Sequence, residues 1–225
     1  MAKQLWGVVI LLLSSCISTH TRHSTDRATA AIPSVRITVR EAEKLVRQDV
    51  FAKNPRMNRA VRFPLEEVTT PDIWNRFGVQ IFRVAPGVYP SNTYLIRDNQ
   101  VTLLGASFGG PGVTAMAIAD LDSDGAPELA FSYSFGSGMT RSQVALWRQN
   151  GNVLVAPTTY WNGDMIVRAI DDHRVDVIYG HMRQNSGFDQ AETVGILRYD
   201  QKASPPFDIE LSRDLAPEVA AHLRR

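Results

Sequence analysis

Cysteine occurs once in this chain, at position 16, so no disulfide can close within it. Lysine is scarce as well, four against twenty arginines, a bias that fits an arginine-favouring genome or a preference for bidentate contacts. An excess of charge of one sign is missing: 24 Lys and Arg stand against 23 Asp and Glu. That balance excludes a general attraction to nucleic acid or to an anionic membrane surface. Long apolar runs are missing too. The stretch Leu5 to Leu13 has nine residues, far below the roughly 20 that a bilayer-spanning helix needs. What is present is a globular balance, 44% hydrophobic and 21% charged over 225 residues, enough for one good core.

The first residues have three parts: Met1-Ala2-Lys3-Gln4 with its positive charge, the apolar run Leu5 to Leu13, and the small residues Ser14-Ser15 before Cys16. This is the layout of a secretory signal, and as a bare pattern it fits plain secretion as well as anchoring. Leu13-Ser14-Ser15-Cys16 resembles the lipobox of bacterial lipoproteins. The resemblance implies that residues 1 to 15 are a signal peptide and that Cys16 becomes the lipid-bearing first residue of the mature chain. The lone thiol of the chain stands at that position. Removal of residues 1 to 15 takes away Lys3 alone among the charges, leaving 23 basic against 23 acidic residues. Ile17, rather than Asp, follows the cysteine, which by the family's sorting rule implies the outer membrane where one exists. The expected location is therefore the cell envelope, on its periplasmic or surface face. Residues 16 to 33 are rich in Ser, Thr and small residues with no apolar period, as a flexible tether would be. His20 and His23 lie in it without further ligands that would make a metal site.

Residues 34 to 225 read as one mainly β domain. A helix opens it: Thr38 and Glu41 have capping-box spacing, Ala42, Leu45, Val46 and Val50 recur on one face, and Asn54-Pro55 ends it. From about Trp74 the pattern becomes short β-type runs. Ten are expected, at 79–84, 93–96, 101–104, 113–119, 128–134, 143–147, 152–156, 165–170, 175–180 and 193–199. Asp98-Asn99 and Asn150-Gly151 are hairpin turns between them. A short helix closes the domain, with Asp214 as its cap, Pro217 in its first turn and Arg224-Arg225 at its negative end. There is also a weak internal repeat. Ala117-Ile118-Ala119-Asp120 with Glu128 to Phe131 is echoed by Ala169-Ile170-Asp171-Asp172 with Val175 to Ile178, each followed by a run ending near Trp147 or Tyr199.

One segment carries chemistry. Asp120, Asp122, Asp124 and Glu128 occupy positions 1, 3, 5 and 9 of a loop with Gly125 at position 6. Alternate carboxylates converge when the chain curls, glycine permits the sharp turn, and the carbonyl of Ala126 offers another oxygen. Hard oxygen ligands without His or Cys suit calcium better than zinc or copper. The same residues also suit a solvated turn, although four spaced carboxylates without a cation would repel one another. An EF-hand would need Glu at position 12, where Phe131 stands instead. The segment resembles the calcium loop of FG-GAP and VCBS repeats, the blade units of integrin-like β-propellers, over residues 112 to 160. The resemblance implies calcium ligation between two strands, with Glu128 in place of the usual final Asp. One good unit and one faint copy cannot close a ring, so a partial sheet or small sandwich is expected rather than a propeller.

Other signals rank lower. Phe108 to Gly112 is Gly-rich but lacks the lysine and helix start of a phosphate loop. Asp171, Asp172, His173, Asp176 and His181 cluster near a hairpin end, and Trp74, Phe77, Trp147, Tyr160 and Trp161 suit either a glycan or peptide groove or a core. The function expected from the sequence is a lipid-anchored envelope protein with a calcium-stabilised β domain that binds a protein or glycan partner or supports the envelope. The alternative is an exported hydrolase or carbohydrate-active enzyme using residues 171 to 181.

Overall fold

The computed structural model describes residues 35 to 224, apart from 59, 61, 62, 86 to 90, 106 to 109, 137, 138, 181, 184 to 186 and 189 to 191. The signal peptide, Cys16 and the tether to residue 33 expected from the sequence lie outside the described residues. Ile32 to Arg225 form one compact unit.

Helix α1 (Val39–Lys53) begins where the capping box predicts. The Glu41 N–H donates to the Thr38 hydroxyl at 3.3 Å and the Glu41 carboxylate accepts the Thr38 N–H at 2.7 Å. Two otherwise orphaned donors are satisfied reciprocally. Ala42 and Val46 face inward, and the helix stops at Asn54, whose N–H returns to the Val50 carbonyl.

Three antiparallel meanders follow. Sheet I orders β1 (Leu65–Glu67), β2 (Gln80–Val84), β3 (Thr93–Arg97) and β4 (Gln100–Leu104), with α2 (Pro71–Phe77) inserted after β1. Sheet II orders β5 (Gly112–Ala119), β6 (Glu128–Phe135), β7 (Arg141–Trp147) and β8 (Val153–Trp161). Sheet III uses β9 (Asp164–Asp171) and β10 (Arg174–Gly180). The small hairpin of β11 (Met182–Arg183) and β12 (Gly187–Phe188) interrupts it before β13 (Glu192–Tyr199) and β14 (Phe207–Leu211) complete it. The chain then forms α3 (Pro217–His222) and β15 (Leu223–Arg224), which pairs back onto the edge strand β8. The fold is mainly β with a helix near each end, and no sheet closes on itself.

The sheets form layers, because each strand of period two has two faces to cover. The first core joins α1 to one face of sheet I through Ala42, Val46, Phe82, Val84, Tyr94 and Ile96. The second joins the other face of sheet I and α2 to sheet II, with Ile73, Phe77, Ile81, Leu95, Phe131 and Trp147. The third joins the far face of sheet II to sheet III, with Ala117, Ala130, Leu146, Met165, Val177 and Ile209. Strand β6 shows the division residue by residue. Leu129, Phe131 and Tyr133 point to sheet I, while Ala130, Ser132 and Ser134 belong to the opposite face. Small residues on that face let β5 and β9 approach with Cα atoms within 8 Å. The polar ones are satisfied in the seam: Ser134 and Ser142 share a hydrogen bond at 2.6 Å, Ser134 also bonds Asp164, and the Ser142 hydroxyl bonds the Gly163 carbonyl at 2.7 Å.

All ten expected strands exist, and the structure adds and corrects others. Strand β8 continues five residues beyond the expected end at Ala156. Pro157 lies in a register shift opposite Gln143 to Ala145, where a missing N–H costs no ladder bond. Helix α2 is too short for a periodic signature and is defined by its ends: the Thr70 hydroxyl accepts the Ile73 N–H, Pro71 fills the first turn, and Gly78 takes φ 61° at the cap. The C-terminal helix is capped at Ala216, not Asp214, with no side-chain cap bond, and Arg224 pairs as strand rather than lying at a helix end. The internal repeat is spatial: β5–β6–β7 and β9–β10–β13 are the first three strands of successive meanders. Sheet I is a third meander that the repeat did not reveal.

Candidate metal centre

Strands β5 and β6 pair down to Ala119 opposite Glu128, which closes the loop between them. Inside it the Asp124 N–H donates to Asp120 Oδ1 at 3.0 Å and to Asp122 Oδ1 at 3.2 Å. The Gly125 N–H reaches Asp120 Oδ2 at 2.9 Å, and the Ala126 N–H reaches Asp124 Oδ1 at 2.8 Å. These side-chain to backbone bonds are the turn chemistry that Asp supplies. Gly125 sits at φ +85°, and an added Cβ there would meet nothing within 4 Å, so its requirement is conformational rather than steric.

One oxygen from each of Asp120, Asp122 and Asp124 lies within 4.8 Å of the others. Each carboxylate oxygen has two lone-pair directions, so a backbone N–H on one leaves room for a cation on the other. Three clustered carboxylate oxygens could hold a metal ion. The fit is incomplete at the other two expected ligands. Ala126 stands beside the cluster and engages it through its N–H. Glu128 is not part of that cluster: it is only 4% exposed, accepts the Leu121 N–H at 3.0 Å and pairs with the Arg148 guanidinium at 3.2 Å. Arg148 also holds Asp122 Oδ2 at 3.1 Å and lies over the Tyr199 ring, 4.9 Å from its centroid. Burial pushes the Glu128 carboxyl up to about 7, with the neighbouring Asp122 adding to it and the Leu121 N–H and Arg148 opposing it. Burial and the Asp124 charge raise the Asp122 carboxyl above its ordinary range as well. Phe131, at the twelfth loop position, is fully buried on β6 and cannot serve as an EF-hand ligand.

Arg148 escaped the sequence reading. The signal was there: pairing Leu129 with Trp147 puts residue 148 beside residue 128, and a buried carboxylate at a strand start calls for a cation on the adjacent strand. The loop is also fastened to sheet III. The Asp120 N–H donates to the Asp172 carbonyl at 2.6 Å, and His173 Nδ1 stands 3.0 Å from the Asp120 carbonyl.

The other cluster has structural partners. Asp171 accepts the His173 N–H at 2.8 Å, exposed Asp172 faces Arg76 at 3.7 Å, and buried Asp176 is held by Arg174 at 2.8 Å and Arg168 at 3.7 Å. His181 lies outside the described residues. Among the aromatics, Phe77, Trp147 and Tyr160 are core, while Trp74 and Trp161 carry Arg36 and Arg141 on their faces at 4.7 and 4.0 Å. The expectation that no serine stands in a nucleophile-elbow pattern is corrected by the sequence itself, where Gly105 to Gly109 spell G-x-S-x-G around Ser107. Residues 106 to 109 lie outside the described residues, and the described elements on either side are the strands β4 and β5.

Fold and site together define a class: stacked β meanders with an acidic hairpin loop between the first two strands of the second meander. No family model, curated protein or solved structure matches the chain.

Proposed function

We propose that the protein is a lipid-anchored component of a bacterial cell envelope whose β domain is stabilised by calcium and acts as a binding or structural module. The observation that carries the calcium part is the convergence of the Asp120, Asp122 and Asp124 carboxylates within 4.8 Å. Bound there, the ion would supply charge neutralisation and fix the β5–β6 hairpin. Asp120, Asp122 and Asp124 would hold it, with Ala126 offering a carbonyl and Glu128 available only at the expense of its pairing with Arg148. The Asp120 to Asp172 bond would pass that rigidity to sheet III.

Binding to the folded state alone stabilises it by RT ln(1 + [L]/Kd), and extracellular modules commonly bind calcium at about 10⁻⁴ to 10⁻³ M. Calcium at about 10⁻² M should therefore add on the order of 1 to 3 kcal/mol and raise the melting midpoint of residues 32 to 225 by several degrees. Asp122→Ala with Asp124→Ala should abolish the response and keep the β-type circular dichroism, because the loop lies outside the strands. Magnesium should do less, since it demands near-octahedral geometry. Equal melting in chelator and in calcium would reduce the loop to a turn.

A further inference from the structure

We propose that the outer face of α1 seats the domain on the membrane through anionic phospholipid headgroups; the proposal rests on the lipid-anchor reading only for the nearness of that membrane. The near-neutral total conceals a division along the chain. Residues 17 to 62 carry ten Lys and Arg against four Asp and Glu, while residues 63 to 225 carry thirteen against nineteen. The first segment is attracted to an anionic surface and the second is repelled, which orients the domain as well as holding it.

Within that segment the structure describes α1. Arg40, Glu43, Lys44 and Arg47 recur at helical spacing on one side of α1 and, with Phe63 and Pro64, line an open cleft of about 470 Å³. Arg40, Lys44 and Arg47 are exposed. Glu43 is the one acid in the lining, and its carboxylate is engaged by the Leu65 N–H at 3.2 Å, holding the start of β1. Arg47 lies over the Phe51 ring at 5.3 Å, and Phe51 meets buried Phe63 edge-on at 6.3 Å, so charge stands on an apolar floor. Val39, the first residue of the helix, and Val35, four residues before it, are exposed apolar side chains, 38% and 75% accessible. Cationic heads above apolar surface match the boundary between headgroups and acyl chains. The occupant follows from chain length: twenty residues separate Cys16 from Arg36, and a random-coil chain of that length would reach roughly 25 Å. A lipid on Cys16 thus keeps the bilayer within reach of this face.

The test uses the chain from Ile17 onward, which contains the whole compact unit and lacks the apolar run that would itself enter vesicles. It is co-sedimented with vesicles of phosphatidylcholine alone and with about one third phosphatidylglycerol, at low and high salt. Binding should require phosphatidylglycerol and should be lost at high salt. Arg40→Gln with Lys44→Gln should weaken it about 25-fold, a factor of about five for each cation near an anionic surface. Arg168→Gln with Arg198→Gln removes the same charge from sheet III and should weaken it less than twofold. Equal binding to both vesicle types, or equal losses for the two double variants at unchanged melting, would overturn the proposal. Saturable binding of inorganic phosphate that the α1 pair abolishes, with no vesicle binding, would also overturn it and assign the cleft to a free anion. Lipidation is read separately, by fatty-acid labelling of Cys16, so failure of the anchor and failure of the headgroup seat are distinguishable.

Discussion

Glu128 is the residue on which the energetics of the loop turn. Its carboxyl is raised from 4.5 to about 7, chiefly by burial. A group that holds its proton more tightly when folded makes the folded state bind more protons between the two values, so its contribution favours folding most below about pH 4.5. That contribution is lost as pH rises to about 7 and is level above. The loss is bounded by roughly 3 kcal/mol, from about 1.4 kcal/mol for each unit of displacement. Glu128→Gln removes the titration. In chelator, urea unfolding of the variant should therefore show a smaller decline between pH 4.5 and 7.5 than the unsubstituted protein, with the remainder set by groups such as Asp122 whose carboxyl is also raised. Parallel pH profiles for the two proteins would place the titration elsewhere. At this scale the three Asp were legible, since their alternation is local and the chain needs no fold to bring them together. Arg148 was not, because its nearness to Glu128 arises from strand register across twenty residues of sequence.

Strand β6 is the element on which both sheet interfaces depend. It is the longest uninterrupted buried stretch among the described strands, and its two faces differ in bulk as the two interfaces require. Leu129→Ala, fully buried toward sheet I, should cost about 2 to 5 kcal/mol in chemical denaturation, as large-to-small changes in a packed core do. A cost below about 1 kcal/mol would mean that the sheets close over the space, and that the packing described between sheets I and II is loose. Alternation and turn dipeptides made the central strands legible. Short elements were not: β1 has three residues and α2 has seven, too few for a period, and β14 follows a Pro-containing segment that masked its onset. The expected strand stops at Ala156, one residue short of Pro157, because a bulge that accommodates proline exists only once two strands are paired.

For the whole molecule, the address at the N-terminus is tested by Cys16→Ser, which should end labelling by a fatty-acid probe in cells that export the protein; undiminished labelling would remove the lipid anchor. The layered plan was half visible. The echo between residues 117 and 178 pointed to two like hairpins, and they became the leading strands of sheets II and III. Sheet I carries no acidic loop and shares no motif with them, so nothing in the letters marked it as a third meander. One feature of the plan bears on how the molecule comes apart. Strand β15 returns the end of the described chain to β8, so sheet II is gripped by sheet I on one face, by sheet III on the other and by the tail along its edge. Amide hydrogens in a layered body exchange through partial openings, outermost layers first. Slow exchange should therefore spread outward from the middle of the chain, with α1 and β14 opening long before β6 and β7, although only α3 separates β14 from the clasp in sequence.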